Sequence, residues 1–192
     1  MIAGKFRSRP LAAPAGMDTR PTADRLRETL FNVLTQGAVN RVEGARFLDL
    51  YAGSGAVGIE ALSRGAAEVV FVEQGAAALA VLQKNLAALG IRGGASVVKR
   101  GVQKYLQDAA GREAGSVSGF GVIFLDPPYD AAAEYAATLE FLGTTGCALL
   151  TADGLAAAEH RRKQPLAERY GELVRVRVIE QGDAGLSFYA RD

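Results

Sequence analysis

Cysteine, histidine and long apolar runs are scarce in this 192-residue chain: it has one cysteine, Cys147, and one histidine, His160. A lone cysteine excludes an internal disulfide and any multi-cysteine metal site, and fits a reducing compartment. No stretch approaches the roughly 20 apolar residues of a membrane span. The opening Met1-Ile2-Ala3-Gly4-Lys5-Phe6-Arg7 has no apolar core of signal-peptide length. Together these absences predict a soluble, cytoplasmic protein with no membrane partner. His160 lacks the serine or cysteine arrangement of a catalytic triad. It reads as a surface or strand-end residue, the alternative being the border of a pocket beside Glu159.

Net charge is also small, +1 overall, but it is unevenly spread. Residues 1–27 carry +4, residues 28–158 carry −4, residues 159–178 carry +3 and the last fourteen carry −2. Basic ends around an acidic middle suggest a polyanion gripped at the ends and a cationic or neutral ligand at the centre. Ordinary surface charge is the plainer account of either end alone.

About half of the residues are apolar, enough for one domain with a small appendage. Met1 to Met17 reads as one or two short strands around a proline-containing turn, too small to fold alone. Arg20-Pro21-Thr22 opens a helix with Thr22 as its cap, and Leu26, Leu30, Val33 and Leu34 form its apolar stripe. From Arg46 strands and helices alternate. Strands are expected at Phe47–Leu50, Glu68–Glu73, Ser96–Lys99, Phe120–Leu125 and Leu155–Glu159. Helices are expected at Ala56–Arg64, Ala76–Leu89, Val102–Ala109 and Ala131–Leu142, with a turn or two near Cys147–Leu150. Leu173–Gln181 and Leu186–Arg191 pair as a hairpin across Gly182-Asp183-Ala184-Gly185. Repeated βα units predict an α/β fold: a mostly parallel, seven-stranded sheet with helices on both faces and an antiparallel edge.

Asp49-Leu50-Tyr51-Ala52-Gly53-Ser54-Gly55-Ala56-Val57-Gly58 follows a strand and opens a helix. Gly53, Gly55 and Gly58 satisfy the G-x-G-x-x-G fingerprint, and Glu73 closes the next strand where a carboxylate can hold two ribose hydroxyls. NAD and S-adenosylmethionine both fit that pattern. Asp49 separates them: a carboxylate near a diphosphate is unfavourable, whereas one near an ammonium or a sulfonium is favourable. A buried Asp49 pinning the loop amides is compatible with either ligand. Tyr51 packs against the cofactor or against the helix after Gly58.

Asp126-Pro127-Pro128-Tyr129 ends the apolar run Phe120–Leu125. Two prolines cannot continue a ladder, so the chain leaves the sheet there. A turn with an aromatic lid is the bland account. The chemical one is a pocket for a flat heterocycle bearing an amine, with the ring on Tyr129 and the amine hydrogens on Asp126 and the Pro127 carbonyl.

Read together, these residues resemble the class I S-adenosylmethionine-dependent methyltransferases, and within them the RsmD-like family of 16S rRNA guanine-N2 methyltransferases. The resemblance runs through Ile2–Arg7, Arg20-Pro21-Thr22, Arg27-Glu28-Thr29-Leu30-Phe31-Asn32-Val33-Leu34, Phe47–Gly55, Val72-Glu73, Asn85-Leu86, Asp126–Tyr129, Glu159-His160 and Leu186–Tyr189. It implies a Rossmann-like domain over residues 21–192 and an RNA-contacting β extension over residues 1–20. It implies Asp126, Pro127 and Tyr129 as catalytic residues, and Asp49, Tyr51, Gly53, Ser54, Gly55 and Glu73 around S-adenosylmethionine. Lys5, Arg7, Arg9, Arg20 and Thr22 would meet 16S rRNA, within the 30S subunit, with the protein acting as a monomer. The chain departs from the family at Val102, where an acid usually follows the glycine and accepts from the adenine amine. A backbone group near Val102 or the Gln103 amide must serve instead. An adenine-amine methyltransferase, a nicotinamide dehydrogenase and a non-catalytic RNA-binding module remain the rivals.

Overall fold

The computed structural model describes residues 1–13, 21–37, 39–113, 119–128 and 132–192. Eight strands form one sheet: β1 (Arg46–Leu50), β2 (Glu68–Glu73), β3 (Ala95–Lys99), β4 (Phe120–Leu125), β5 (Leu150–Arg161), β6 (Arg169–Tyr170), β7 (Leu173–Gln181) and β8 (Ala184–Arg191). Their order is β3-β2-β1-β4-β5-β8-β7-β6. The first five pair in parallel, and β8, β7 and β6 continue antiparallel from β5. Five helices accompany them: α1 (Pro21–Thr35), α2 (Ala56–Ser63), α3 (Ala76–Ala88), α4 (Val102–Glu113) and α5 (Ala132–Gly143).

The period of two along each strand sorts side chains into two cores. On one face Phe47, Phe71, Val122, Phe124, Ala157 and Leu186 pack with Leu26, Leu30, Phe31 and Leu34 of α1, Ile59 of α2 and Leu82 of α3. On the other, Leu48, Leu50, Val72, Ile123 and Leu125 pack with Val102 and Leu106 of α4 and Tyr135 and Leu139 of α5. The expected apolar stripe of α1 is therefore buried, except that Val33 is only partly so. Strand order reverses between β1 and β4, which is where open α/β sheets place ligands at the carboxyl ends of their strands.

The seven expected strands are present, and the two-residue β6 is an eighth. Three details differ from expectation. Strand β5 begins at Leu150 rather than Leu155, with a register shift between Phe120 and Val122 on β4. The closing hairpin turns on Gly182-Asp183 alone, because Gln181 pairs with Ala184 and Gly182 supplies the left-handed position at φ +63°. Thr22 lies inside the first turn of α1 rather than capping it, since Pro21 already occupies the first helical position.

The amino-terminal segment is corrected more substantially. Among the described residues 1–13 there is a 3₁₀ turn, Gly4–Phe6, and no strand. Positive φ at Gly4 (+76°) and Ser8 (+63°) bends the chain too sharply for a ladder. Its amides are taken by side chains instead. Buried Glu60 accepts from Ile2 and Ala3 at 2.9 and 3.0 Å, and Ser63 Oγ accepts from Phe6 at 2.8 Å. Asn85 Oδ1 accepts from Ala12 at 2.8 Å. The arm is moulded onto α2 and α3, with Phe6 and Leu11 against the first core.

Candidate active site

Four acids stand at the carboxyl ends of adjacent strands. Leu50 on β1 is abreast of Val72 on β2 and Leu125 on β4, and Leu125 is abreast of Ala158 on β5. Glu73, Asp126 and Glu159 each lie one residue beyond those partners, and Asp49 one before Leu50. Alternation puts Asp49, Asp126 and Glu159 on the face that carries Phe47, Phe124 and Ala157, beneath α1 and α2.

Asp49 is 2% exposed, and its Oδ2 accepts the Gly58 amide of α2 at 2.9 Å. Burial pushes its carboxyl up to about 8; the Gly58 bond opposes the rise and the Glu73 charge adds to it. Asp126 is also held well above the usual carboxylate range, first by burial and then by the charges of Glu159 and Asp49. At this end of the sheet the acids thus raise one another's proton affinity.

The glycine loop spends its residues on distinct needs. Gly53 and Gly55 have φ of +56° and +78°. A Cβ on Gly55 would overlap Leu82, and one on Gly58 would overlap Phe71 and come within 2.8 Å of Val69. Gly53 differs: a Cβ there would meet only the Tyr51 carbonyl, at 3.9 Å, so its outer side is open. The Gly53 amide donates to Glu73 Oε2 at 2.9 Å, while Glu73 Oε1 accepts from Gln74 and Gly75. Ser54 is fixed through its carbonyl, which accepts from Asn85 Nδ2 at 3.0 Å.

Tyr51 does not pack on the helix after Gly58. Its side chain lies on the second core, and its hydroxyl donates to Glu134 Oε2 at 2.8 Å with Thr138 Oγ1 at 3.0 Å, both on α5. Burial drives the phenol far up, out of any working range. These bonds hold a non-glycine residue at φ +61°, a conformation costing about 1 to 2 kcal/mol. Gln103 joins the same group, donating through Nε2 to Thr138 Oγ1 at 3.0 Å. The Val102 side chain is buried in the second core. Its backbone opens α4, whose first turn carries no acid, so the amides there are donors that could meet a ring nitrogen of an adenine but not its amine.

Pro127 is buried, and its carbonyl receives the Tyr135 hydroxyl only at 3.4 Å. Tyr129 and Arg20 lie outside the described residues, as does the Thr22 side chain. Lys5, Arg7 and Arg9 are exposed on the arm, with Arg9 Nη2 donating to the Ala88 carbonyl at 3.1 Å. His160 is buried rather than at the surface. Its Nε2 pairs with Ser187 Oγ at 2.9 Å and its ring packs over Gly185, a structural role in β5.

Two residues given no role from sequence join the site. A cavity of about 160 Å³ is lined by Leu26, Arg27 and Leu30 of α1, Ala56 and Val57, and Asp126, Glu159 and Leu186. Glu159 had a readable signal, an acid closing an apolar strand just as Asp126 does. Arg27 sits beside the α1 stripe, and only the packing of α1 over β4 and β5 reveals it.

A family model described as Conserved hypothetical protein 95 matches residues 1–190. The chain belongs to this family, the RsmD family. It is 38% identical to "Putative rRNA methyltransferase YlbH" of Bacillus subtilis, over all of this chain and 98% of that one. It is 41% identical to Ribosomal RNA small subunit methyltransferase D of Escherichia coli, over 67% of this chain and 59% of that protein. The solved structure "Putative methyltransferase yhhF" from Escherichia coli superposes with a TM-score of 0.80 at 33% identity, covering 100% of this chain and 97% of the other. The Thermus thermophilus 16S rRNA N2 G1207 methyltransferase RsmC, solved with AdoMet and guanosine, shares the fold at TM-score 0.67 and 23% identity, over 93% of this chain and 45% of that one.

The RsmD family lies within the class I methyltransferases, whose cofactor is S-adenosylmethionine. The residues of this chain fit that molecule. Gly53 leaves open backbone, Glu73 keeps one of its roughly four acceptor positions, room for one ribose hydroxyl rather than the two expected, and the acids at the strand ends suit a sulfonium and an ammonium better than a diphosphate.

Proposed function

We propose that this chain methylates the exocyclic N2 amine of a guanine in small-subunit ribosomal RNA. What supports the reading is that Asp126, which lines a cavity with Ala56 and Val57 at the start of α2, follows the strand that pairs with the strand of Asp49. Asp49, Gly53, Ser54, Glu73 and the α4 amides would hold S-adenosylmethionine, and Tyr51 would shape the loop from its anchorage on α5. When bound, that molecule supplies a sulfonium methyl whose carbon–sulfur bond breaks towards sulfur as the amine nitrogen takes the carbon.

The chain's own residues do the rest. Guanine N2 is a poor nucleophile because its lone pair is delocalised into the ring. Asp126 and the Pro127 carbonyl accept its two hydrogens and turn the nitrogen towards tetrahedral geometry, freeing the lone pair. Alignment of this kind contributes roughly 7 to 11 kcal/mol in well-oriented systems. The long Tyr135 contact leaves the Pro127 oxygen capacity to accept. The raised proton affinity of Asp126 suits it to take the proton that the methylated amine sheds. Tyr129 stacks on the extruded base, offsetting part of the unstacking cost by about 1 to 3 kcal/mol. Lys5, Arg7, Arg9 and Arg20 contact phosphates and set register, with Thr22 beside them. The protein acts as a monomer on the 30S particle.

Incubation with labelled S-adenosylmethionine and 16S rRNA, naked and within 30S particles, followed by nucleoside analysis, tests this. N2-methylguanosine is expected, and N6-methyladenosine would replace the reading with an adenine-amine enzyme. Asp126→Ala is expected to bind S-adenosylmethionine normally and lose turnover; normal methylation by that variant removes Asp126 from the mechanism.

A further inference from the structure

Arg27 holds an unusual position. Its side chain is 13% exposed, and Nη2 donates to Asp24 Oδ1 at 2.7 Å. Its Nε is buried and has no hydrogen-bond partner among the described residues. A buried guanidinium N–H without an acceptor is costly, and Arg27 lines the cavity whose other polar members are Asp126 and Glu159. The lining thus brings together one guanidinium from α1 and two carboxyl groups from the ends of β4 and β5.

We infer that Arg27 is the specificity-determining contact for the base, donating to the O6 carbonyl of guanine while the carboxylates face its N1–H and N2 amine. The inference rests on the guanine reading above and extends it to how the base is chosen. The pairing edge of guanine runs acceptor, donor, donor, and the cavity offers donor, acceptor, acceptor. Adenine would set an amine against the guanidinium and its N1 lone pair against a carboxylate. Uracil lacks an amine to methylate. Cytosine would turn its N3 lone pair to a carboxylate. Arginine is the side chain that most often reads guanine O6 elsewhere. Asp24, exposed at 58%, takes Nη2 and so fixes the guanidinium beside the cavity.

The test compares two RNAs once the labelled product has located the methylated guanine: the native 16S rRNA and the same RNA carrying 6-thioguanine at that position. The thio base keeps N1–H and the N2 amine but replaces O6 with sulfur, a weak acceptor. Single-turnover methylation is measured for wild type, Arg27→Met and Arg27→Lys, with S-adenosylmethionine affinity and Tm followed in parallel. Wild type is expected to be about tenfold slower on the thio RNA. Arg27→Met is expected to be slow on both with a ratio near one, and Arg27→Lys to keep part of the preference, all three with unchanged cofactor affinity. Wild type methylating both RNAs equally, or Arg27→Met keeping the wild-type ratio, overturns the inference. If Arg27→Met lowers Tm, Arg27→Lys carries the comparison. Absence of N2-methylguanosine from the wild-type product would sink the function itself, a result distinct from either outcome at Arg27.

Discussion

The Asn85 side-chain amide donates to the Ser54 carbonyl of the glycine loop at 3.0 Å and to the Ala12 carbonyl of the amino-terminal arm at 3.0 Å. Its oxygen accepts from the Ala12 amide at 2.8 Å. One buried residue of α3 therefore ties the arm to the loop that holds the cofactor. Asn85→Leu strands three backbone groups, and a loss of about 2 to 4 kcal/mol in urea unfolding is expected. Affinity for S-adenosylmethionine should fall with it, because the Ser54 backbone loses its anchor. Wild-type stability and affinity in this variant would show that the latch contributes nothing.

The glycines separate folding from binding. Gly58→Ala drives a methyl into Phe71 and towards Asp49 Oδ2 at 2.9 Å. It is expected to destabilise by about 1 to 3 kcal/mol or more. Gly53→Ala meets no neighbour, so only the left-handed backbone opposes it, at about 1 to 2 kcal/mol. If the outer side of Gly53 is where the cofactor rests, this variant should lose affinity out of proportion to its stability. Calorimetric titration of both variants checks the contrast, and equal affinity losses would argue against it.

Asp49 gives the protein a pH dependence of definite sign. In the protein by itself it ionises near 8, against 3.8 for an unperturbed carboxyl. The unfolded chain gives up this proton first as pH rises, so the native state binds more protons and loses stability from about pH 4 to about 8. Asp126 acts in the same direction. Asp49→Asn should flatten the fall of unfolding free energy across that window. A cation beside Asp49 favours its ionised form, so S-adenosylmethionine binding at pH 7 should release protons. Titration in two buffers of different ionisation enthalpy reads this, and a heat independent of buffer would count against Asp49 as the neighbour of the charge.

The exposed cations of the arm should act on RNA and not on the cofactor. Replacing Lys5, Arg7 or Arg9 by alanine is expected to weaken RNA binding most at low salt. Each change should reduce the slope of log affinity against log salt by about 0.7 to 0.9. Arg9→Ala should also loosen the arm slightly, since it gives up the Ala88 carbonyl. Salt-dependent filter binding decides, and an unchanged slope in all three would move the RNA footprint elsewhere.

Much of this was legible in the chain because its signals are local. A strand buried on both faces, such as Phe120–Leu125, announces itself by composition, and Gly53, Gly55 and Gly58 by spacing. The arm was misread because Ile2 to Arg7 alternates like a strand, yet its amides bond to Glu60 and Ser63, which are distant in sequence. The period-two alternation was readable within each strand, but that Asp49, Asp126 and Glu159 share a face followed only from the pairing of β1, β4 and β5.

The sequence by itself determined the alternation of strands and helices, the glycine loop and the acids that end the strands, since each depends on neighbours a few residues apart. Only the tertiary structure decided which of those acids meet, that Tyr51 and Gln103 bond to α5, and that Arg27 lines a cavity with Asp126. Those outcomes depend on strand order and on the helix laid across it, and such contacts join residues whose separation along the chain leaves no periodic trace.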